Sequence, residues 1–327
     1  MRRPGGKYTP AWTNAGNHAI LLAALIIRKG RFDMKKNLVL PALSVLGGAA
    51  AFLLRLLQNR TGFEPDTGLP IPGNIPGLIL VVLLVLLAAA LCVLAGKLPK
   101  EQDPGPAFPA DFSTTEPKLL MLPVMGVLLI ALSGLADLAQ GLGIALPGAP
   151  GLGDAYVLTA DMEVWVPGPV FSQKAMLLMG LLSLASAAGL LLTVTACRPR
   201  EGRKPVPGTI LLVAPAALVI RLVLTYRAES INPALEAYYV ELLALVFLTL
   251  GFYRLSAFAF QAGRTRRFAL YAAPATVLSL AALADTSASN LSAPLLYLGG
   301  ALTLLGFLLL RLCRPDNCEV HHSTSGE

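Results

Sequence analysis

Five ionisable residues stand inside or at the edges of long apolar runs: Arg55, Asp137, Arg221, Glu241 and Asp285. A charge at the centre of a bilayer costs at least about 2.5 to 3.5 kcal/mol on insertion scales, so such residues are expected to face one another or a polar interior and not lipid. Two arginines and three carboxylates can do two kinds of work. Gathered around an opening they bind a small charged or zwitterionic solute. Held only as ion pairs they lock helices together, while long arginines reach toward the headgroups. Arg55 and Asp137 lie at similar depth along their segments and are the expected first pair, which leaves Arg221 to Asp285 or Glu241.

Other chemistries find little to work with. The chain has no Walker-type phosphate loop, no nucleophile elbow and no His-Glu-x-x-His helix. Its histidines, His18, His321 and His322, all lie in terminal segments, so no apolar run offers an imidazole for haem, zinc or a proton relay. The tail Cys313-x4-Cys318-x2-His321-His322 carries zinc-binding atom types, but two-residue spacing between cysteines is the commoner arrangement, and a polar tail is the expectation. Asp137 and Asp285 are not flanked as a catalytic aspartyl dyad. No catalytic residue, metal or cofactor is therefore assigned, and no structural disulfide is expected among Cys92, Cys197, Cys313 and Cys318.

The elements that must position the five charges follow from composition. The 327 residues are 55% hydrophobic and only 14% charged, against about a quarter charged in a soluble domain, so lipid is the main solvent. The net charge of +7 is spread in short clusters between apolar runs, which excludes a nucleic-acid patch. Crossing about 30 Å of hydrocarbon takes roughly 20 apolar residues in a helix. Eight segments qualify, at about 37–57, 76–96, 118–140, 175–197, 208–227, 235–260, 268–286 and 293–312. Breakers separate them, including Gly68-Leu69-Pro70-Ile71-Pro72-Gly73 and the stretch from Gly141 to Pro169. Asn232, Pro233 and Glu236 form a helix-start signal for the sixth segment.

Orientation follows from the basic residues. Arg198, Arg200, Arg203 and Lys204, and again Arg264, Arg266 and Arg267, fall on one side, while the opposite loops hold Arg60, Lys174 and Arg227. The first side is expected in the cytoplasm, with both termini there, in a bacterial cytoplasmic membrane. Outside, Glu64, Asp66, Asp154, Asp161, Glu163 and Glu229 are left by the same rule, with Tyr156 and Trp165 in the longest loop. Tyr226, Tyr238 and Tyr239 at one boundary, and Tyr253 and Tyr271 at the other, read as belt aromatics. Gly47-Gly48 and Gly299-Gly300 allow close helix approach.

An internal duplication is legible. Leu132-Ser133-Gly134-Leu135-Ala136-Asp137 matches Leu280-Ala281-Ala282-Leu283-Ala284-Asp285, Cys197-Arg198-Pro199 matches Cys313-Arg314-Pro315, and Arg55-Leu56-Leu57 corresponds to Arg221-Leu222-Val223. The order is the same in both sets, which predicts two tandem four-helix halves in parallel orientation, 34–204 and 205–312, followed by a cytoplasmic tail, 313–327. Residues 1–33 form a basic leader, and Met34-Lys35-Lys36-Asn37 resembles a bacterial start; a surface-lying basic helix and a signal peptide are the alternatives.

Two functions fit. The first is transport or binding of a small charged solute between the halves. The second is a non-transporting membrane subunit whose long outer loop, 141–173, docks a protein partner, a reading favoured by the absence of an obvious breaker in the middle of any helix.

Overall fold

The computed structural model describes residues 38–64, 70–98, 108, 110–114, 117–144, 158–159, 162–163, 171–198, 207–229, 235–286 and 291–313. The leader 1–33, the signal at Asn232 and Pro233, the side chain of Glu236, the loop aromatics Tyr156 and Trp165, and the ligand types Cys318, His321 and His322 lie outside these. The chain divides into a unit of residues 40–311 and a second formed by 1–39 and 312–327; the architecture below is that of the first.

Among the described residues, eight helices are long and apolar enough to cross a membrane. They are α1 (Leu38–Thr61), α2 (Ile75–Gly96), α3 (Pro117–Gly141), α4 (Gln173–Ala196), α5 (Val213–Glu229), α6 (Leu235–Ala259), α7 (Thr265–Ala282) and α8 (Ser292–Leu312). A 3-10 turn, Gly208–Leu212, leads into α5, because Pro215 has no N–H to return to Leu211 and the first turn tightens. A second, Leu283–Asp285, carries α7 to its end. Ser172 caps α4 by accepting from the Ala175 amide at 3.4 Å. The only departure from an all-helical chain among the described residues is in two short pairings. Leu158–Thr159 and Met162–Glu163 pair as an antiparallel hairpin, and Phe63 bridges Pro70 in the connection after α1.

Burial divides the helices into inner and outer ones. Over α8, 72% of the most apolar window is buried within the protein, against 22% for α2, whose Ile75, Leu78, Val82, Val85 and Leu86 point outward. Outward leucine and valine in such number are what a helix shows to acyl chains. α7 and α8 are therefore the centre of the bundle. Small residues let backbones meet there: a methyl on Gly126 of α3 would lie 2.6 Å from the Gly299 carbonyl oxygen of α8. The paired glycines divide their work in the same way. Gly47 receives Leu87 of α2 and Gly48 receives Leu280 of α7, while Gly300 receives Leu248 of α6.

Two prolines correct the expectation that no breaker stands inside a helix, although both helices continue through them. Pro123 lies within α3 and Pro274 near the middle of α7, both buried. Each removes an intrahelical hydrogen bond, and the surrounding helices tolerate it; the Pro123 ring lies directly against Gly306 of α8.

Candidate functional site

Helical periodicity gathers polar side chains toward the end of the bundle where α1, α3, α5 and α7 finish. Arg55, Gln58 and Asn59 lie on one face of α1, Ser133 and Asp137 on one face of α3, and Arg221 and Thr225 on one face of α5. Arg55, Asp137 and Arg221 are 0%, 2% and 4% exposed, so each charge is removed from both water and lipid.

The pairing differs from the expected one. Arg55 reaches across to Asp285, its Nε donating to Oδ1 at 2.6 Å, and Arg221 reaches Asp137, its Nη1 donating to Oδ2 at 2.8 Å. Arg55 and Asp137, matched by depth, are not each other's partners in these bonds. Depth along a helix constrains only one coordinate, whereas Gly48 against Leu280 places α1 beside α7. Each pair thus takes one residue from 34–204 and one from 205–312.

Hydrogen bonds complete both pairs. Arg55 also donates to Gln58 Oε1 at 2.8 Å and stacks over the Tyr239 ring with its guanidinium carbon 5.3 Å from the centroid. Asn59 donates to both Asp285 Oδ1 and the Ala284 carbonyl at 2.9 Å. Arg221 Nη2 donates to Ser292 Oγ at 3.2 Å, and the Ser292 carbonyl accepts from Ser133 at 2.7 Å. Charge-assisted bonds of this kind are what repay desolvation of a buried pair.

Glu241, the fifth predicted residue, belongs to the same cluster. It accepts the Tyr297 hydroxyl at 2.6 Å, and Tyr297 is 1% exposed. Arg221 lies within electrostatic reach of Glu241 and Tyr297, and Tyr297 within reach of Asp285. A small cavity opens beside Arg221, lined by Ser183, Ser186, Ile130, Leu218 and Phe252 among others, with about 20 Å³ for the centres of water molecules. That is room for a single water.

Sequence reasoning missed a third buried ion pair, at the opposite end. Arg311 of α8 donates to Asp111 Oδ1 at 2.9 Å, to the Asp111 carbonyl at 3.1 Å and to Thr265 Oγ1 at 2.7 Å, and lies over the Phe258 ring. Asp111 arrives on a 3-10 turn, Ala110–Phe112, from the connection between α2 and α3. Phe112 is fully buried, edge-on to Phe258, Phe268 and Phe307 at centroid distances of 5.0, 6.4 and 5.5 Å. Next to this turn Cys197, just past α4, is a buried thiol pushed up to about 12 by burial. Its carbonyl accepts the Thr114 amide at 3.2 Å.

The belt reading also needs correction on one side. Tyr226 is 58% exposed as a belt residue should be, but Tyr238 is buried and Tyr239 lies under Arg55. No group of three or more His, Cys, Asp or Glu side chains among the described residues is arranged to hold a metal ion. The chain matches no protein-family model, no curated protein and no solved structure.

Proposed function

We propose that this is a multi-pass protein of the bacterial cytoplasmic membrane, with both termini inside, that binds or transports a small charged solute. The site is built from Arg55, Asp137, Arg221, Glu241 and Asp285 at the outer end of the bundle. The carrying observation is the composition of the cluster: two guanidiniums and three carboxylates, supplied by five helical elements, with Tyr297 bonded to Glu241 and within electrostatic reach of Arg221 and Asp285. Glu241, held by the Tyr297 hydroxyl, brings a third carboxylate into the cluster, a composition that suits a solute with a cationic group, an amine or a zwitterion.

The cross-pairing supports the tandem-repeat reading. If α1–α4 and α5–α8 are copies, Arg55 corresponds to Arg221 and Asp137 to Asp285. Both bonds are then the same bond made once in each direction between the halves. Buried Thr225 stands one turn beyond Arg221 as Asn59 stands one turn beyond Arg55. A parallel repeat of this kind places its ligand between the halves, where these charges meet.

One observation favours the second reading, a membrane subunit that docks a protein partner through the outer loop 141–173. The cavity beside Arg221 is water-sized, and buried pairs alone suffice to fasten helices. A thermal-shift screen of amines, amino acids and organic anions against the purified protein separates the two. Solute binding predicts stabilisation by a cationic or zwitterionic class that is lost in Glu241→Gln. No stabilisation by any class, with a stoichiometric protein copurifying, assigns the subunit role.

A further inference from the structure

Arg254 is the charge that the ion pairs do not explain. It lies on α6, five residues before the helix ends at Ala259, at the end of the bundle opposite the charged cluster. Its Nε–H is buried without a hydrogen-bond partner, and no carboxylate among the described residues pairs with its guanidinium. Instead the guanidinium carbon lies 5.3 Å from the centre of the Tyr271 ring of α7 and 5.6 Å from that of Tyr253. Two aromatic faces fix its plane, and a guanidinium carries five N–H donors in a rigid fork that matches the oxygens of a phosphate.

The surroundings say where an acceptor comes from. Tyr253 is 50% exposed on a face of α6 that also carries Leu243 outward, so this side of the helix meets acyl chains. Arg254 and Tyr271 lie five and six residues inside their helix ends, about 8 to 9 Å deep, which is the boundary between headgroups and acyl chains. Arg267 is exposed one turn before Tyr271 on the same face of α7, and Arg264 is exposed at the turn that joins the two helices. Arg266 turns away, its guanidinium lying over Gly96 at the end of α2. An arginine with unused donors, fixed between two tyrosines and open to lipid, has further cations a turn nearer the water. Such a place fits one ligand class.

We propose that the seam between α6 and α7 binds the headgroup of an anionic phospholipid, its phosphate on Arg254 and its remaining negative charge near Arg267 and Arg264. The phosphate oxygens take up the guanidinium donors, Tyr253 and Tyr271 flank the glycerol region, and the acyl chains run along the outward face of α6. A zwitterionic lipid offers the same phosphate but brings a quaternary ammonium toward Arg267, which opposes binding. The site is independent of the charged cluster at the other end and of the proposed solute.

The test is native mass spectrometry of the full chain, delipidated in mild detergent and titrated in parallel with phosphatidylglycerol, phosphatidylcholine and inorganic phosphate. The wild-type protein is expected to retain one phosphatidylglycerol in preference to phosphatidylcholine, and Arg254→Gln to lower that retention roughly five- to tenfold. Arg60→Gln, at the opposite end, should leave it unchanged. Arg267→Gln is exposed and folds independently of the buried contacts, so it tests the same site with an expected loss of a few fold if Arg254→Gln does not accumulate. Equal retention of both lipids shows ordinary annular lipid and overturns the proposal. So does undiminished phosphatidylglycerol retention in both variants. Displacement of the lipid by millimolar inorganic phosphate assigns the site to a soluble anion and overturns the lipid assignment.

Discussion

The Nε of Arg55, on the first helix of the bundle, donates to Oδ1 of Asp285, at the end of the seventh, over 2.6 Å, with both side chains almost wholly removed from solvent. The bond joins the beginning of the chain to its last quarter, and the bond between Arg221 and Asp137 runs the other way. Removing one partner of such a pair leaves an uncompensated buried charge. Arg55→Gln and Asp285→Asn are each expected to destabilise the protein by about 3 to 5 kcal/mol. The double variant should lose less than the sum, with a coupling of about 1 to 3 kcal/mol in unfolding experiments in detergent. Strict additivity would show that the two side chains do not pair.

Close approach of α3 and α8 at Gly126 and Gly299 makes a steric prediction. Gly126→Val places carbon atoms where the Gly299 carbonyl and Thr303 stand, and should lower the thermal midpoint sharply or prevent folding. Met125→Val, one residue away on a side chain 53% exposed, should leave the midpoint nearly unchanged. Similar effects from both substitutions would contradict the packing.

At the opposite end the turn carrying Asp111 and Phe112 is held by chemistry and by rings. Phe112→Ala should cost about 3 to 5 kcal/mol through the cavity it leaves among Phe258, Phe268 and Phe307. Asp111→Ala should cost a comparable amount by stranding Arg311. Limited proteolysis of the connection between α2 and α3 measures both, since cleavage should accelerate in each variant. Unchanged cleavage would mean that the turn is not anchored.

The helices were legible because a bilayer sets one length and demands one type of backbone, so runs such as 76–96 and 293–312 match α2 and α8 to within a residue. The five charges of the cluster were legible because each is costly in an apolar run. Their pairing was not, because residue number gives depth along a helix and says nothing of which helices are neighbours. Arg311 and Asp111 were missed for a related reason. An arginine in a last helical turn resembles one that reaches for headgroups, and an aspartate in a proline-rich connection resembles a solvated one. Tyr297 was hidden by its helix, where a lone tyrosine among leucines carries no pattern. Pro274 stood inside the expected segment 268–286 but was not weighed as a breaker, and α7 continues through it.

Cys197 gives a pH-dependent prediction. Burial raises its thiol from 9.0 to about 12, so at pH 8 about one molecule in ten thousand carries the reactive thiolate. Alkylation at pH 8 should spare Cys197 in the folded protein and modify it after unfolding. The sign for stability follows from the same shift: the neutral thiol favours the folded state fully below pH 9, and that contribution is lost as pH rises from 9 toward 12. The fall in thermal midpoint over this range should be smaller in Cys197→Ala. Rapid alkylation of the folded protein would show that the thiol is accessible.

The central claim is that the outer cluster holds a small charged solute, and native mass spectrometry of the protein purified gently from its own host tests it most directly. The account predicts a stoichiometric, non-lipid ligand bearing a cationic group, present on the wild-type protein and absent from Glu241→Gln folded to the same extent. A protein that carries no small molecule in either form, and instead holds a stoichiometric protein partner that is lost when residues 145–170 are shortened, would contradict it.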